Sequence, residues 1–473
     1  MLMMRIFMMN IFINRVWELS TLEDRYESGR AELILIYGRR RVGKTYLIRR
    51  FLRGRRGVYL IVSRLNGVLE SFAEAVAEQL SLSYVPSLRS YGDLYRMLGE
   101  LSSKERLVVV IDEFQRLAEH DPSFLLELQE AWDGYLSSSR LMLILMGSAV
   151  GAVERVGLGP SSPIYGRRTA QIRVKPFGFS CAKEFFPDYS DVDKVRAYSA
   201  FGGVPGYLSL IDPEASLLEN ISKLILDRGG PLYEEPYFIL AEETREPLRY
   251  MGILEAMSGG ATTLGEIASK SGMASSSLPR YMRVLMEDLS IVERRHPLLE
   301  ERRGRARYYL GDHYFRFWFR FVKPHLHLLE LGEVDRVLEV VRRDIDRHAS
   351  ITFEDVAMEH FIRLAEGATR IGRWWRGGVE IDGVAIDESR GRIYFMEAKW
   401  SKKPVDRAIL NDLIRKADRF PWRRGERDEI YVLYSRSGFT FRAGDNIHLI
   451  DLERLVEDLS CQRNQQSGNR RHP

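Results

Sequence analysis

Cysteine is nearly absent from this chain, which has only Cys181 and Cys461 among its 473 residues. Two cysteines cannot build a disulfide framework or a cysteine-rich zinc site, and the histidines match no zinc-ligand spacing. The simplest compartment for such a chain is a reducing cytoplasm.

Long apolar stretches are also missing. No run of about 18 apolar residues occurs, so we expect no transmembrane helix and no membrane partner. Residues 1–12 lack the full apolar region and the small-residue cleavage site of a signal peptide. Met1, Met8 and Met9 all remain candidates for the natural start. We therefore expect a cytoplasmic protein.

A strong excess of one charge is absent too. The chain has 70 basic and 66 acidic residues, a net charge of +4, which excludes a histone-like polycation. Only 12 of the basic residues are lysines and the other 58 are arginines, whose planar group suits carboxylates and phosphates. Genomic base composition or adaptation to heat explains this bias equally well.

Four apolar runs characterise the first third of the chain. They are LILIY, VYLIV, LVVVID and LMLILMG, at 33–37, 58–62, 107–112 and 141–147, and helical patterns separate them. Continuous apolar strands need cover on both faces, as in a parallel sheet between helices. This alternation of apolar runs with helical patterns predicts βαβ units and an α/β fold. At roughly 150 residues per domain, the length suggests about three domains.

The segment GRRRVGKT joins the first apolar run to a helical pattern. Its Gly-x4-Gly-Lys-Thr spacing between strand and helix predicts a P-loop, although a chance glycine turn is the alternative. Main-chain amides of such a loop face phosphate oxygens, and the helix N-terminus adds its dipole. We expect Lys44 to reach the β- and γ-phosphates and Thr45 to ligate Mg²⁺. The predicted ATP or ADP contacts are Gly38, Arg39, Arg40, Arg41, Val42, Gly43, Lys44, Thr45 and Tyr46.

Polar residues follow the third and fourth apolar runs. Asp112 is expected to hold Mg²⁺ through water, and Glu113 to polarise the attacking water. The alternative is an acidic pair that only ends a strand. Ser148 is expected either to sense the γ-phosphate or to cap the next helix.

The P-loop, VVVIDEF and MGS, in this order, resemble an AAA+-type P-loop ATPase. FINRVWEL at 12–19, YGRRT at 165–169, KPFGF at 175–179 and GGVPGYL at 202–208 resemble segments of the archaeal ATPase family, close to its STAND-like branch.

The resemblance implies further site residues. Asn14 and Arg15 would lie near the adenine, and Pro205 would contact the nucleotide from a helical lid. Arg167 or Arg168 falls at the place of an arginine finger, which stabilises charge in the transition state. The alternative is an arginine pair that bridges to acidic helices.

Residues 247–310 predict a winged helix: three helices and a hairpin. Thr263 and Glu266 form a capping-box pattern, and the third helix offers Arg280 and Arg283 to solvent. The hairpin is rich in arginine, which suits duplex DNA, although packing against the ATPase or a protein partner is the alternative. Its arginines are Arg294, Arg295, Arg302, Arg303, Arg305 and Arg307.

The aromatic stripe HYFRFWFRFV at 313–322 is expected to be core. Beyond it the patterns predict helix 353–366, strands near 379–386 and 392–398, helix 405–419 and strand 429–434.

Asp382, Glu397 and Lys399 resemble the PD-(D/E)xK nuclease core. Two carboxylates can bind Mg²⁺ or Mn²⁺, and a neighbouring lysine can activate water. The resemblance implies that Glu354 completes the metal shell, and Glu380 could substitute for or assist Asp382. A surface hairpin with cross-strand ion pairs is the alternative.

The predicted fold class is an α/β P-loop sheet with a helical lid, then a winged helix, then a mixed α/β nuclease-like domain. The expected bounds are 11–235, 236–322 and 323–460, with a disordered tail at 461–473. The expected function is ATP hydrolysis with Mg²⁺, coupled to duplex DNA and to metal-dependent DNA cleavage. The rival is a nucleotide-dependent switch with an inactive C-terminal domain. A homo-oligomer or a protein partner is compatible with either function.

Overall fold

A computed structural model describes residues 13–299 and 306–461. They form two units. The first unit comprises residues 14–175 and 287–289, and the second comprises residue 13 with residues 176–286, 290–299 and 306–461. No helix among these described residues is both long and apolar enough to span a membrane. The three-domain division expected from the sequence stays a prediction, and most of the predicted tail and Arg302, Arg303 and Arg305 lie outside the described residues.

The first unit is built on a parallel five-stranded sheet in the order β2-β3-β4-β1-β5. Its strands coincide with the apolar runs, apart from the short last one, and β1 and β4 are buried along their whole length. This confirms the parallel α/β core. The strands are β1 Glu32–Tyr37, β2 Gly57–Ile61, β3 Leu107–Asp112, β4 Leu141–Gly147 and β5 Ala170–Arg173.

Helices cover both faces of this sheet. The helix after the P-loop buries Leu47, Ile48 and Phe51 and exposes its arginines, as its amphipathic spacing requires. Each such side chain contributes about 1.5–3 kcal/mol when fully buried. The helices are Val16–Glu27, Lys44–Leu52, Val68–Gln79, Tyr91–Leu101, Phe114–His120, Ser123–Gly134 and Val150–Val153, with a 3-10 turn at Leu136–Ser138 and a π-turn at Glu154–Leu158.

The second unit begins with short helices. Thr263 and Glu266 form the predicted capping box, with reciprocal side-chain and main-chain hydrogen bonds. The segments are Phe179–Ala182, Lys183–Phe185, Asp191–Phe201, Pro205–Leu208, Leu217–Ile221, Ser222–Leu226, Glu235–Glu243, Pro247–Ser258, Leu264–Ser271, Leu278–Arg283 and, running on into the first unit, Val284–Asp288.

An antiparallel hairpin of β6 (Val292–Arg295) and β7 (Arg307–Leu310) follows these helices. Leu298 donates its main-chain N–H to the Arg373 carbonyl at 2.8 Å and packs with Leu299 against the C-terminal sheet. Arg295 pairs with Asp355 at 3.1 Å, and Arg307 pairs with Glu380 at 3.3 Å. Two of the arginines expected to face DNA are therefore bound to carboxylates of the same unit.

The aromatic stripe at 313–322 is core, as predicted. Tyr314, Phe315, Phe317 and Trp318 are fully buried, and the indole N–H of Trp318 donates to the Tyr233 carbonyl at 2.7 Å. The segments here are His313–Phe317, Trp318–Val322, Lys323–His325, Leu326–Glu330 and the 31-residue helix Val334–Leu364.

A mixed five-stranded sheet in the order β12-β11-β10-β9-β8 closes the second unit. β8, β9 and β10 are antiparallel neighbours, whereas β10, β11 and β12 run parallel. Neighbouring parallel strands need a crossover connection, and the helix Arg407–Ala417 supplies it between β10 and β11. The strands are β8 Arg370–Arg376, β9 Val379–Asp387, β10 Arg392–Lys399, β11 Asp428–Ser435 and β12 Ile447–Asp451, followed by the helix Leu452–Asp458.

The two cysteines form a disulfide bond across 280 residues of sequence. Cys181 lies in the helix Phe179–Ala182, and Cys461 follows the last helix. The sequence did not predict this single bond, which is not a multi-bridge framework. Cysteine usage therefore no longer supports a reducing compartment.

Candidate functional site

The loop after β1 has the backbone of a phosphate-binding turn. Arg41 and Gly43 have φ of 64° and 92°, in the left-handed region. A Cβ on Gly38 would lie 2.2 Å from the Val174 carbonyl oxygen, so only glycine fits there. The Gly-x4-Gly spacing therefore serves both a close approach and a left-handed turn.

Lys44 lies inside this loop, with its side chain almost wholly buried. Its ammonium group donates to the carbonyls of Gly38 at 2.6 Å and Arg39 at 3.0 Å. A cation held by two carbonyl dipoles at a helix N-terminus forms a site for an anion. Arg40, Thr45 and the half-exposed Tyr46 are on the surface of the same segment.

Arg15 fixes the P-loop from the preceding helix. Its guanidinium donates to the carbonyls of Val42 and Lys175, both at 2.8 Å, and to Glu18 at 3.0 Å. Burial lowers the pKa of Arg15, and the Glu18 carboxylate opposes that effect. Asn14, next to it, has a φ of 57°. The contacts of Arg15 support the loop, and its expected place near the adenine stays a prediction, as does that of Asn14.

Asp112 is the last residue of β3. This strand pairs with β4, which in turn pairs with β1, the strand before the P-loop. Oδ1 of Asp112 accepts the main-chain N–H of Glu113 at 2.9 Å, and its Oδ2 accepts the phenol of Tyr59. Burial raises the pKa of Asp112, and Tyr59 opposes that effect. The carboxylate of Asp112 and the hydroxyl of Thr45 are oxygen ligands of the kind that fit Mg²⁺.

Glu113 lies in a left-handed conformation, with a φ of 58°. Its carboxylate accepts a hydrogen bond from the Ser148 hydroxyl and one of 2.5 Å from the Gln115 amide. The helix after β4 has Ala149 as its N-cap, so Ser148 does not cap it. Ser148 instead contacts the residue that we expect to activate water.

The two finger candidates differ in their contacts. Arg167 donates to both carboxylate oxygens of Asp133, at 2.7 and 2.6 Å, which matches the alternative of a bridge to an acidic helix. Arg168 lies 5.4 Å from the centre of the Tyr165 ring and donates to Gln171 at 3.3 Å. Pro205 begins the helix Pro205–Leu208 of the second unit. Catalytic roles for these residues stay predictions.

In the C-terminal sheet, Glu397 is buried and binds two lysines. Lys399 contacts its Oε1, and Lys416 from the crossover helix donates to both oxygens at 3.1 and 3.0 Å. Asp382 accepts the main-chain N–H of Ala398 at 2.9 Å. Burial raises the pKa of Asp382 to about 7, and the charges of Glu397 and Glu354 add to this.

Glu354 is bound by Arg373 at 2.6 Å, and Arg373 also binds Asp355 at 2.8 Å. Within residues 13–299 and 306–461, no group of three His, Cys, Asp or Glu side chains is arranged to hold a metal ion. Arginine and lysine side chains contact two of the three carboxylates expected in the metal shell, Glu354 and Glu397. The roles of Glu354, Asp382 and Glu397 as metal ligands stay predictions.

Comparison with known proteins identifies the family of this chain. A family model described as an ATPase domain predominantly from Archaea matches residues 12–211. An uncharacterized protein of Methanocaldococcus jannaschii is 31% identical over 416 residues, covering 86% of this chain and 92% of that protein. The chain belongs to this archaeal ATPase family. A second model, described as Archaea bacterial proteins of unknown function, matches residues 318–410 of the ATPase.

Two further proteins resemble parts of this archaeal ATPase. An uncharacterized ATP-binding protein of the same organism is 50% identical over 46 residues, which are 10% of this chain and 78% of that protein. The structure of a Walker-type ATPase of Pyrococcus abyssi aligns with 65% of this chain and with 96% of the Pyrococcus chain, at a TM-score of 0.50 and 22% sequence identity. At that identity the likeness concerns the fold alone.

Three residues at these sites escaped prediction. Tyr59 lies within an apolar run whose pattern indicated only a strand, and Gln115 lies on an amphipathic helix. Lys416 is one of several basic residues of the crossover helix. Their roles depend on side-chain reach between neighbouring elements, which periodicity does not encode.

Proposed function

We propose that this archaeal ATPase hydrolyses ATP with Mg²⁺ at the carboxyl edge of its parallel sheet. One observation carries the proposal, namely that the polar residues lie at the same ends of neighbouring strands. Lys44 follows β1, Asp112 ends β3 and Glu113 comes directly after it. Ser148 reaches Glu113 from the end of β4. Ligands of open α/β sheets bind at this edge. Family membership and the ATP-binding relative agree with it.

The residues divide the chemistry between them. The loop amides and Lys44 stabilise charge on the transferred phosphoryl group, and Glu113 orients the attacking water. When bound, Mg²⁺ neutralises charge on the β- and γ-phosphate oxygens, and Thr45 and Asp112 are the residues that would hold it. Lys44 has to exchange the Gly38 and Arg39 carbonyls for phosphate oxygens.

Calorimetric titration of ATP·Mg²⁺ tests the site. Lys44→Ala removes the ammonium that faces the phosphates, so we expect binding to become undetectable while the melting temperature stays within a few degrees of wild type. Arg53→Ala, an exposed cation at the far end of the same helix, is the matched control and retains affinity. Equal affinity of Lys44→Ala and wild type removes the hypothesis.

A nucleotide-dependent switch is the second candidate. The observation that favours it is that Ser148 and Gln115 both bind the Glu113 carboxylate, which leaves it less able to accept a water hydrogen. A switch predicts slow turnover, co-purifying ADP and no stimulation of turnover by DNA. A steady-state hydrolysis rate that rises several-fold with duplex DNA contradicts it.

We further propose that the second unit contains a winged helix and a nuclease-like domain that binds duplex DNA. Support comes from the element order of three helices and a hairpin, and from Arg280 and Arg283, which are exposed. The later order of helix, three antiparallel strands, helix and parallel strand carries Asp382 and Glu397 on neighbouring strands. Phosphate contacts of such a surface depend on salt.

DNA binding is tested by fluorescence anisotropy of a labelled duplex at several salt concentrations. We expect the affinity for the duplex to fall as the salt concentration rises. The double variant Arg280→Glu with Arg283→Glu should bind about tenfold or more weakly, and its affinity should depend less on salt, because phosphate contacts are lost. Salt-independent or absent binding rejects the proposal.

Incubation of supercoiled plasmid with Mn²⁺ tests cleavage, for which Lys399→Ala is the control.

A further inference from the structure

Tyr59 contacts Asp112, a predicted magnesium ligand, and the sequence did not indicate this contact. Tyr59 lies on the edge strand β2, opposite Val110 of β3, and two residues further along Ile61 pairs with Asp112. Its phenol reaches forward and donates to Asp112 Oδ2. A side chain of the edge strand therefore supports a carboxylate that would hold the metal.

The direction of the hydrogen bond between Tyr59 and Asp112 matters. A carboxylate only accepts, so the phenol donates its hydrogen to Asp112. The Tyr59–Asp112 hydrogen bond thus orients this carboxylate.

Asp112 is fixed at both oxygens by the same arrangement. Oδ1 accepts the Glu113 main-chain N–H at 2.9 Å and Oδ2 accepts the phenol, so the carboxylate cannot rotate without losing one of them. Each oxygen keeps a further lone pair for a metal-bound water. An ordinary tyrosine phenol is protonated at neutral pH, so it stays a hydrogen-bond donor there.

From this geometry, and resting on the proposed ATP hydrolysis, we infer that Tyr59 is a positioning residue for the magnesium ion that accompanies the nucleotide. Its hydroxyl orients Asp112 for the cation and contributes nothing to holding the phosphates themselves. Groups that orient metal ligands in this way typically change metal affinity about 10–100-fold when removed.

The test compares ATP affinity with Mg²⁺ and with EDTA in the full-length protein. Tyr59→Phe removes one oxygen and keeps the ring, so we expect the dissociation constant in EDTA to stay within about twofold of wild type, while the Mg²⁺-dependent gain shrinks about tenfold. Mn²⁺ binding in the presence of ATP, measured by electron paramagnetic resonance of the free ion, should weaken by a similar factor.

Tyr95→Phe is the matched control. Tyr95 is a fully buried tyrosine of the same unit whose hydroxyl donates to the Phe124 carbonyl at 2.9 Å. Losing that bond costs stability but should leave both dissociation constants unchanged.

The outcomes separate this inference from the proposed function. If wild type gains affinity with Mg²⁺ and Tyr59→Phe gains as much, Tyr59 does not position the metal ligands. If Tyr59→Phe weakens binding equally with Mg²⁺ and with EDTA, its role is structural and the inference is wrong. If wild type binds no ATP under either condition, the proposed hydrolysis is wrong, and this inference, which rests on it, is wrong as well.

Discussion

Individual polar residues at the sheet edge are held by specific partners rather than left to solvent. Glu113 is bound by Ser148 and Gln115, and Asp112 by Tyr59. Gln115 is almost fully buried, and a Cβ on Gly147 would lie 2.2 Å from its Oε1. The glycine at the end of β4 therefore leaves space for the amide that positions Glu113.

The buried carboxyl of Asp382 makes stability depend on pH. Its pKa is raised to about 7 in the folded chain, mainly by burial and by the charges of Glu397 and Glu354. A carboxyl with a raised folded pKa binds its proton more tightly when folded, so it stabilises the fold at low pH. That contribution is lost as pH rises from the unfolded pKa near 4 to about 7.

Asp382→Asn should remove this dependence. We expect wild type to lose on the order of 1–4 kcal/mol more than the variant between pH 5 and pH 8. Melting temperatures of both proteins across this range measure the difference. Buried His313, whose pKa is lowered to about 4 chiefly by burial, acts in the opposite direction, but it is common to both proteins. Parallel pH profiles would contradict the assignment.

At the scale of elements, the sequence predicted what local patterns encode. Three of the continuous apolar runs became buried parallel strands and the fourth became the half-exposed edge strand β2. The P-loop lies between strand and helix because glycine spacing and amphipathic spacing agree there. β8 and β12 were missed. β8 mixes exposed, half-buried and buried positions and carries five arginine and tryptophan residues, RIGRWWR, so it shows no apolar run or clean alternation.

The hairpin of β6 and β7 shows why exposure could not be predicted from composition. Its arginines indicated a nucleic-acid surface, yet Arg295 and Arg307 bind Asp355 and Glu380 in elements distant in sequence. Glu397, which is expected to be a metal ligand, is likewise bound by two lysines, and its role at a metal stays a prediction. Partners from distant elements decide whether a charged side chain is available, and a single sequence does not reveal them.

At the scale of the molecule, the disulfide bond joins the first helices of the second unit to its last residues. Cys181 and Cys461 are both buried. A cross-link restricts the unfolded chain, and such bonds typically contribute about 2–4 kcal/mol. The bond closes a loop that contains the hairpin and the whole C-terminal sheet.

Reduction should therefore lower thermal stability. We expect dithiothreitol to reduce the melting temperature of wild type by several degrees, whereas Cys461→Ser should melt at the lower temperature with or without reductant. Differential scanning calorimetry measures both, and thiol titration of the denatured protein counts the free cysteines. A wild type that is insensitive to reductant and yields two free thiols contradicts the bond.

Single-turnover hydrolysis of γ-labelled ATP tests the central claim most directly. Wild type should release phosphate in the presence of Mg²⁺. Glu113→Gln keeps the size and shape of the side chain but loses the charge that orients water, so it should bind ATP with similar affinity and release phosphate at least a hundredfold more slowly, a typical effect of losing a general base. Phosphate release by Glu113→Gln at the wild-type rate would show that the chemistry does not occur at this carboxylate.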